Sequence, residues 1–204
     1  VACSFWLTLK FVERQYQRTT LIQRGEIMKA MPLYCVILSM LVMLASSGLA
    51  AEEVRVAYEY KQNPQVDFSK ATKGPLKISK FTDARTVGDS RTLFGTTIAE
   101  QPVPDIVSDA LIQAVTAGGA TLVDEGQNLT LDGEVTEVSV LEKDGVHEVT
   151  IRTHVTLRRG AQTAFDAVIF GRSSGASLDE AVRATLDKLV NSLILDDYFL
   201  MEVL

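Results

Sequence analysis

From Leu129 to Ile169 the chain keeps a period of two, and that alternation constrains the fold more than any other feature. Leu129, Leu131, Gly133 and Val135 share one parity, after which the apolar positions move to Val138 and Val140. Side chains of a strand alternate faces, so a one-residue change of phase predicts a β-bulge near Thr136-Glu137. Lys143-Asp144-Gly145 supplies Asp-Gly turn chemistry, which suits a two-residue hairpin. In the return strand Val149, Ile151, Val155 and Leu157 point one way, and Glu148, Thr150, Arg152, His154 and Arg158 point the other. That pattern belongs to a half-buried antiparallel strand with one wet face. Arg159-Gly160-Ala161-Gln162 turns the chain into a third strand with Phe165, Ala167 and Ile169 on one face. A three-stranded meander is the expectation.

Helical signals flank this meander. Val107, Ala110, Leu111, Ala114 and Val115 recur at helical spacing after Pro102 to Pro104, and Gly118-Gly119 is a natural stop. Asp105 sits well against the dipole of that helix. Ser177-Leu178-Asp179-Glu180 is a capping box, and Leu178, Val182, Leu186, Leu189, Leu193 and Ile194 form the apolar stripe behind it. Upstream, Val54–Tyr58 reads as a first strand, 61–75 as a loop, Leu76 to Phe81 as a short strand, Thr92 to Ile98 as another interrupted by Gly95, and 121–123 as an edge strand. One-sided strands with two amphipathic helices predict an α+β two-layer domain: a mainly antiparallel sheet with a three-strand meander, both helices on one face.

The ends of the chain differ in charge. Residues 1–50 carry five basic side chains against two acidic ones, leaving 15 basic against 24 acidic in 51–204. From Met28 the sequence has the order of a secretory signal: Lys29, an apolar run from Leu33 to Ala45, then Ser46-Ser47-Gly48-Leu49-Ala50 with small residues before a cut after Ala50. The apolar run is about 20 Å long as a helix, short of the roughly 30 Å of a bilayer core, so a cleaved signal is expected rather than a retained anchor. Residues 1–27 read as an over-extended start, 28–50 as the signal peptide, 51–75 as an N-terminal strand and loop, and 76–204 as the α+β domain. Cys3 and Cys35 both precede the cut. A chain starting at Ala51 has no thiol for disulfides, nucleophilic catalysis or metal ligation. Its acidic balance argues against a nucleic-acid partner.

Few residues suggest catalysis. Gly171-Arg172-Ser173-Ser174-Gly175 fits G-x-S-x-G, but a hydrolase of that kind needs its histidine after the serine, and His147 and His154 both come before Ser173. A flexible strand-to-helix loop is the simpler reading. The two histidines are an odd number of residues apart in one strand, so they leave on opposite faces and cannot share a metal ion. No cofactor is expected, and no enzymatic activity. Asp83, Arg85, Asp89 and Arg91 gather in one loop, either as a binding site or as internal ion pairs shaping the loop. The wet face of the meander (Glu148, Arg152, His154, Arg158) is the other candidate for contact with a partner.

The chain from Leu76 to Tyr198 resembles the YajG-type lipoproteins of bacterial envelopes. The resemblance rests on Asp83-Ala84-Arg85 after a short strand, Leu93-Phe94-Gly95, the helix at 104–118, the Leu131-Gly133-Val135 strand and a capped last helix ending in Leu195-Asp196-Asp197. It implies a periplasm-facing α+β domain of obscure function, built like small envelope-assembly modules. Such lipoproteins carry a cysteine directly after the signal, where lipid is attached. Here Cys35 lies inside the apolar run and Ala51 follows the cut, so a soluble periplasmic form is expected. The functional expectation is a non-enzymatic binding or accessory protein for another envelope component. The alternative is a periplasmic carrier of a small apolar or lipid ligand held between helices and sheet.

Overall fold

A computed structural model describes residues 52–61, 64–71 and 73–204. All of them belong to the compact unit Ala51–Leu204, and the signal-like segment and the residues before it lie outside the described residues. The strands in chain order are β1 (Glu52–Val54), β2 (Leu76–Ile78), β3 (Thr82–Asp83), β4 (Thr92–Phe94), β5 (Thr97–Ala99), β6 (Leu129–Lys143), β7 (Val146–Arg159) and β8 (Gln162–Gly175). The helices are α1 (Val103–Ala117), α2 (Leu178–Ile194) and α3 (Asp197–Val203). This is the α+β architecture read from the sequence, with sheets that are largely antiparallel.

The meander β6-β7-β8 is the frame. Glu137 pairs with Arg152 and Val135 with Thr153, which leaves Thr136 as the extra residue of a bulge at the expected place. The Asp144-Gly145 turn has φ of 53° and 75°, the doubly positive geometry whose twist suits a tight hairpin. β2 and β3 add to the far edge of β6 in parallel, with Leu76 opposite Leu129 and Thr82 opposite Glu134. The 121–123 segment contributes only a bridge from Leu122 to Leu76.

Helices α1 and α2 cover the face carrying Leu129, Leu131, Val135, Val149, Ile151, Val155, Leu157 and Ile169, all of them buried. Helix α2 lies close on β8. A Cβ on Gly171 would fall 2.0 Å from the Thr185 carbonyl oxygen, and one on Gly175 would fall 2.7 Å from the Ala181 nitrogen. The Thr185 hydroxyl is within hydrogen-bonding distance of the carbonyl oxygens of Ala181 (2.7 Å) and Val149 (3.1 Å). Ser177 caps α2 by accepting from Glu180 N–H (3.3 Å). The Glu180 carboxylate reaches back to Ala176 N–H (2.9 Å), one residue beyond the usual capping-box donor. Phe199 of α3 closes the end of the core, edge-on to Phe165.

Other details also differ from the sequence expectations, beginning with the Leu76 to Phe81 strand, of which only Leu76–Ile78 is paired before β3 starts at Thr82. Residues 92–99 form a hairpin, β4 and β5, rather than one interrupted strand, and β1 pairs with β5 in parallel to make a second, three-stranded sheet. Of the expected first strand, Val54–Tyr58, only Val54 is ladder-paired, at the end of β1. Val56, Tyr58 and Tyr60 beyond it rest on the core, with Tyr58 donating to Asp187 (2.9 Å) and Tyr60 N–H to the Gln113 side chain (3.0 Å). The 61–75 loop holds a 3₁₀ turn, Phe68–Lys70, whose Phe68 is buried against Gly118. Residues 171–175 are strand, not a flexible loop, because β8 runs on to Gly175. No helix among the described residues is long and apolar enough to cross a membrane.

Candidate functional site

Both large helices lie on one side of the meander, so its other side is open. From Glu148 to Arg158 on β7 and from Asp166 to Ser174 on β8 the even-numbered residues point outward there, alternating with the more buried odd ones. Glu148, Arg152, His154 and Arg158 all emerge on this face, as the alternation predicts, and each is paired across strands. The Arg152 guanidinium lies 3.0 Å from the Glu137 carboxylate, which the bulge brings to this side, and 5.3 Å from the centre of the Phe170 ring. Arg172 meets Glu148 at 2.6 Å, and Arg158 meets Asp132. Asp166 takes His154 Nε2 at 2.9 Å and accepts from the Thr156 hydroxyl at 3.0 Å. These two hydrogen bonds, His154 first, hold the Asp166 carboxyl below the usual carboxylate range. A shallow polar groove of about 290 Å³ runs along the β3 end of the face, lined by Thr82, Asp132, Glu134, His154, Thr156 and Arg158.

The face also holds what the sequence reading missed. Val168 and Phe170 are 57% and 51% exposed on β8, flanked by Asp166 and Arg172 on the same side. The signal was the same period of two. The buried set Phe165, Ala167 and Ile169 implies that 166, 168, 170 and 172 share the other face.

The charged loop behaves differently. Arg85 and Asp83 have side chains only 6% and 14% exposed and bind each other by two hydrogen bonds, at 2.8 and 2.7 Å. Arg85 also donates to the carbonyls of Thr92 (2.6 Å) and Ser90 (2.9 Å), so its donors hold the loop onto β4. The Arg85 hydrogen bonds hold the Asp83 carboxyl below its ordinary range. This pair is the internal ion pair of the second reading and offers little to a partner. Asp89 and Arg91 are more exposed, pair at 2.9 Å and lie near Glu53 of β1 rather than on the meander.

His147 and His154 leave β7 on opposite faces, and the buried His147 Nδ1 has no hydrogen-bond partner among the described residues. Ser173 is opposite Val149 in the sheet, between the two glycines that admit α2. Among the described residues no group of three His, Cys, Asp or Glu is placed to hold a metal ion.

The fold has counterparts among solved structures. Protein XCC0632 from Xanthomonas campestris, described with the family model DUF330, is similar with a TM-score of 0.55 and 14% sequence identity, over 74% of this chain and 94% of that one. Lipoprotein GNA1162 from Neisseria meningitidis is similar with a TM-score of 0.36 and 10% identity, over 59% of this chain and 95% of that one. For a minor lipoprotein from Acinetobacter baumannii the values are 0.31 and 15%, over 58% and 91%. At such identities the likeness is one of fold, and the first structure carries it. No family model and no curated protein matches the chain.

Proposed function

We propose that this chain is a non-enzymatic accessory module of the bacterial envelope, exported by residues 28–50 and working in the periplasm by binding another envelope protein. The outer face of the meander is the observation that carries the reading: helices leave a whole side of a long sheet uncovered. At its middle an arginine lies over a half-exposed phenylalanine. Aromatic residues and arginine are the types enriched at protein–protein interfaces, where a flat amphipathic surface can be desolvated without leaving charges unpaired. Export is supported by the order of charge, apolar run and small residues in 28–50. Kinship with the YajG-type lipoproteins belongs to the same reading. The ligand-carrier alternative finds no particular support, since the interior between helices and sheet is filled by the core side chains.

The test is co-purification from the envelope of the native host. The full chain is expected to bring down a defined protein, and Arg152→Glu with Arg158→Glu to lose it while still folding. These are exposed pairs, worth about 1 kcal/mol or less each, so folding tolerates their loss. Retention of the partner by that double variant would move the contact away from this face.

A further inference from the structure

The sheet runs β2-β6-β7-β8, so β8 is its last strand, and among the described residues no strand pairs with its far side. Edge strands of soluble proteins are commonly blunted by lysine, proline, bulges or shortness. β8 is 14 residues long, and from Gln162 to Gly171 it carries a single charge, Asp166, with no lysine or proline. Its one register shift lies at its start, leaving 165–175 in unbroken register with β7. Such an edge can accept another strand.

The outward side chains say which strand it accepts. Along β8 they read Asp166, Val168, Phe170, Arg172: an acid, two apolar residues and a base. Turned antiparallel on itself about Ile169, this order is self-complementary. Asp166 comes opposite Arg172 of the second copy, and Val168 opposite Phe170 of the second copy, each pair occurring twice. On the helix side, Ile169 meets its own symmetry mate and Ala167 meets Gly171. An axis on Val168 would set Asp166 against Phe170, and one on Phe170 would set Val168 against Arg172, so neither neighbouring register matches charge with charge. An axis through a residue also pairs positions of equal parity, which keeps opposed residues in one hydrogen-bonding class.

We propose that the protein is a two-fold symmetric dimer in which β8 pairs with β8 of a second copy about an axis at Ile169. The dimer has one sheet continuous through both copies, with the isologous, self-matching contact that a two-fold requires. Across its outer face run His154, Asp166, then Arg172 and Glu148 of the second copy, so that Asp166 has a polar partner on both sides. Val168 and Phe170 of the two copies lie side by side as one apolar strip on that face. The inference goes beyond the envelope-partner reading, because it concerns the edge of the sheet and needs no other protein.

Sedimentation equilibrium of the purified full chain tests it. The unaltered protein is expected to be dimeric. Asp166→Arg and Arg172→Asp are each expected to weaken the dimer about tenfold or more, since each sets two like charges opposite one another. Mixing the two variants in equal amounts is expected to restore dimers, because every opposed pair in the mixed dimer is again an acid with a base. A variant that merely misfolds cannot be rescued in this way. Arg158→Glu alone, at a residue that meets Asp132 and none of those at the two-fold, leaves the dimer intact, which separates this test from that of the partner surface. An unaltered chain that stays monomeric, or a mixture associating no better than its components, overturns the proposal. So does an edge occupied instead by an extended segment of a different protein.

Discussion

His154 and Val155 are neighbours on β7 and face opposite environments. On the Val155 side, the sheet packs its buried side chains against two helices, and glycines let the backbone of α2 come close to that of β8. On the His154 side, charges are paired one by one across strands, all of them partly exposed, with Val168 and Phe170 between. The inner face has its contacts filled by its own chain. The outer face has its charges balanced but its apolar surface uncovered. One alternating sequence therefore builds two surfaces, a packed one on one parity and an open one on the other.

The largest test of that division sets the two neighbours against each other. Val155→Lys puts an unpaired charge into the core and is expected to cost about 5 kcal/mol or more, comparable to the whole stability of a domain. His154→Lys should stay within about 0.5 kcal/mol. Chemical denaturation of both variants checks the contrast, and similar losses would break it. Next comes Gly171→Ala, whose methyl carbon has no room before the Thr185 carbonyl. It should push α2 off β8 and cost about 3 kcal/mol, read as a lowered denaturation midpoint.

The smallest test compares two carboxylates, each held below its ordinary range. Asp83 is buried against Arg85, whereas Asp166 is exposed beside His154. A carboxyl depressed in the folded state stabilises above its unfolded value of about 3.9, and loses that contribution as pH falls through its folded value. Asp83→Asn should remove about 1.5 kcal/mol at neutral pH, and the gap from the unaltered protein should close as pH falls below about 4. Asp166→Asn should barely change the monomer's profile, because solvent screens that pair. Stability measured from pH 2 to 7 decides, and equal profiles would mean that burial does not distinguish the two.

The meander was legible because each of its features leaves a local mark. A bulge shifts the parity between Val135 and Val138, Asp144-Gly145 suits one turn, and Ser177 with Glu180 marks a helix start. The small sheet was not legible. Pairing β1 with β5 joins residues more than forty positions apart through three-residue strands, too short for a periodic pattern to stand out. Alternation at 54–60 reports only that one side of an extended chain is covered, and here helices do part of the covering. The G-x-S-x-G stretch read as a loop because glycines punctuate loops. In place, Gly171 and Gly175 serve the close approach of a helix, which depends on a partner element that sequence spacing does not reveal. Of the candidate surface, the charged half was readable from β7. The apolar half on β8 lay in the same alternation, on the parity opposite the core.

The N-terminal stretch has a mechanical consequence. Following the chain from Glu52, its first attachments are the three-residue pairing to β5, the Val54 carbonyl taking Glu100 N–H at 3.1 Å, and the Tyr58 and Tyr60 links to the two helices. Tension applied at that end meets these anchors in series before any strand of the meander is loaded. A pull on the chain at Glu52 therefore falls first on short contacts that can be undone one after another, apart from the long ladders of the broad sheet.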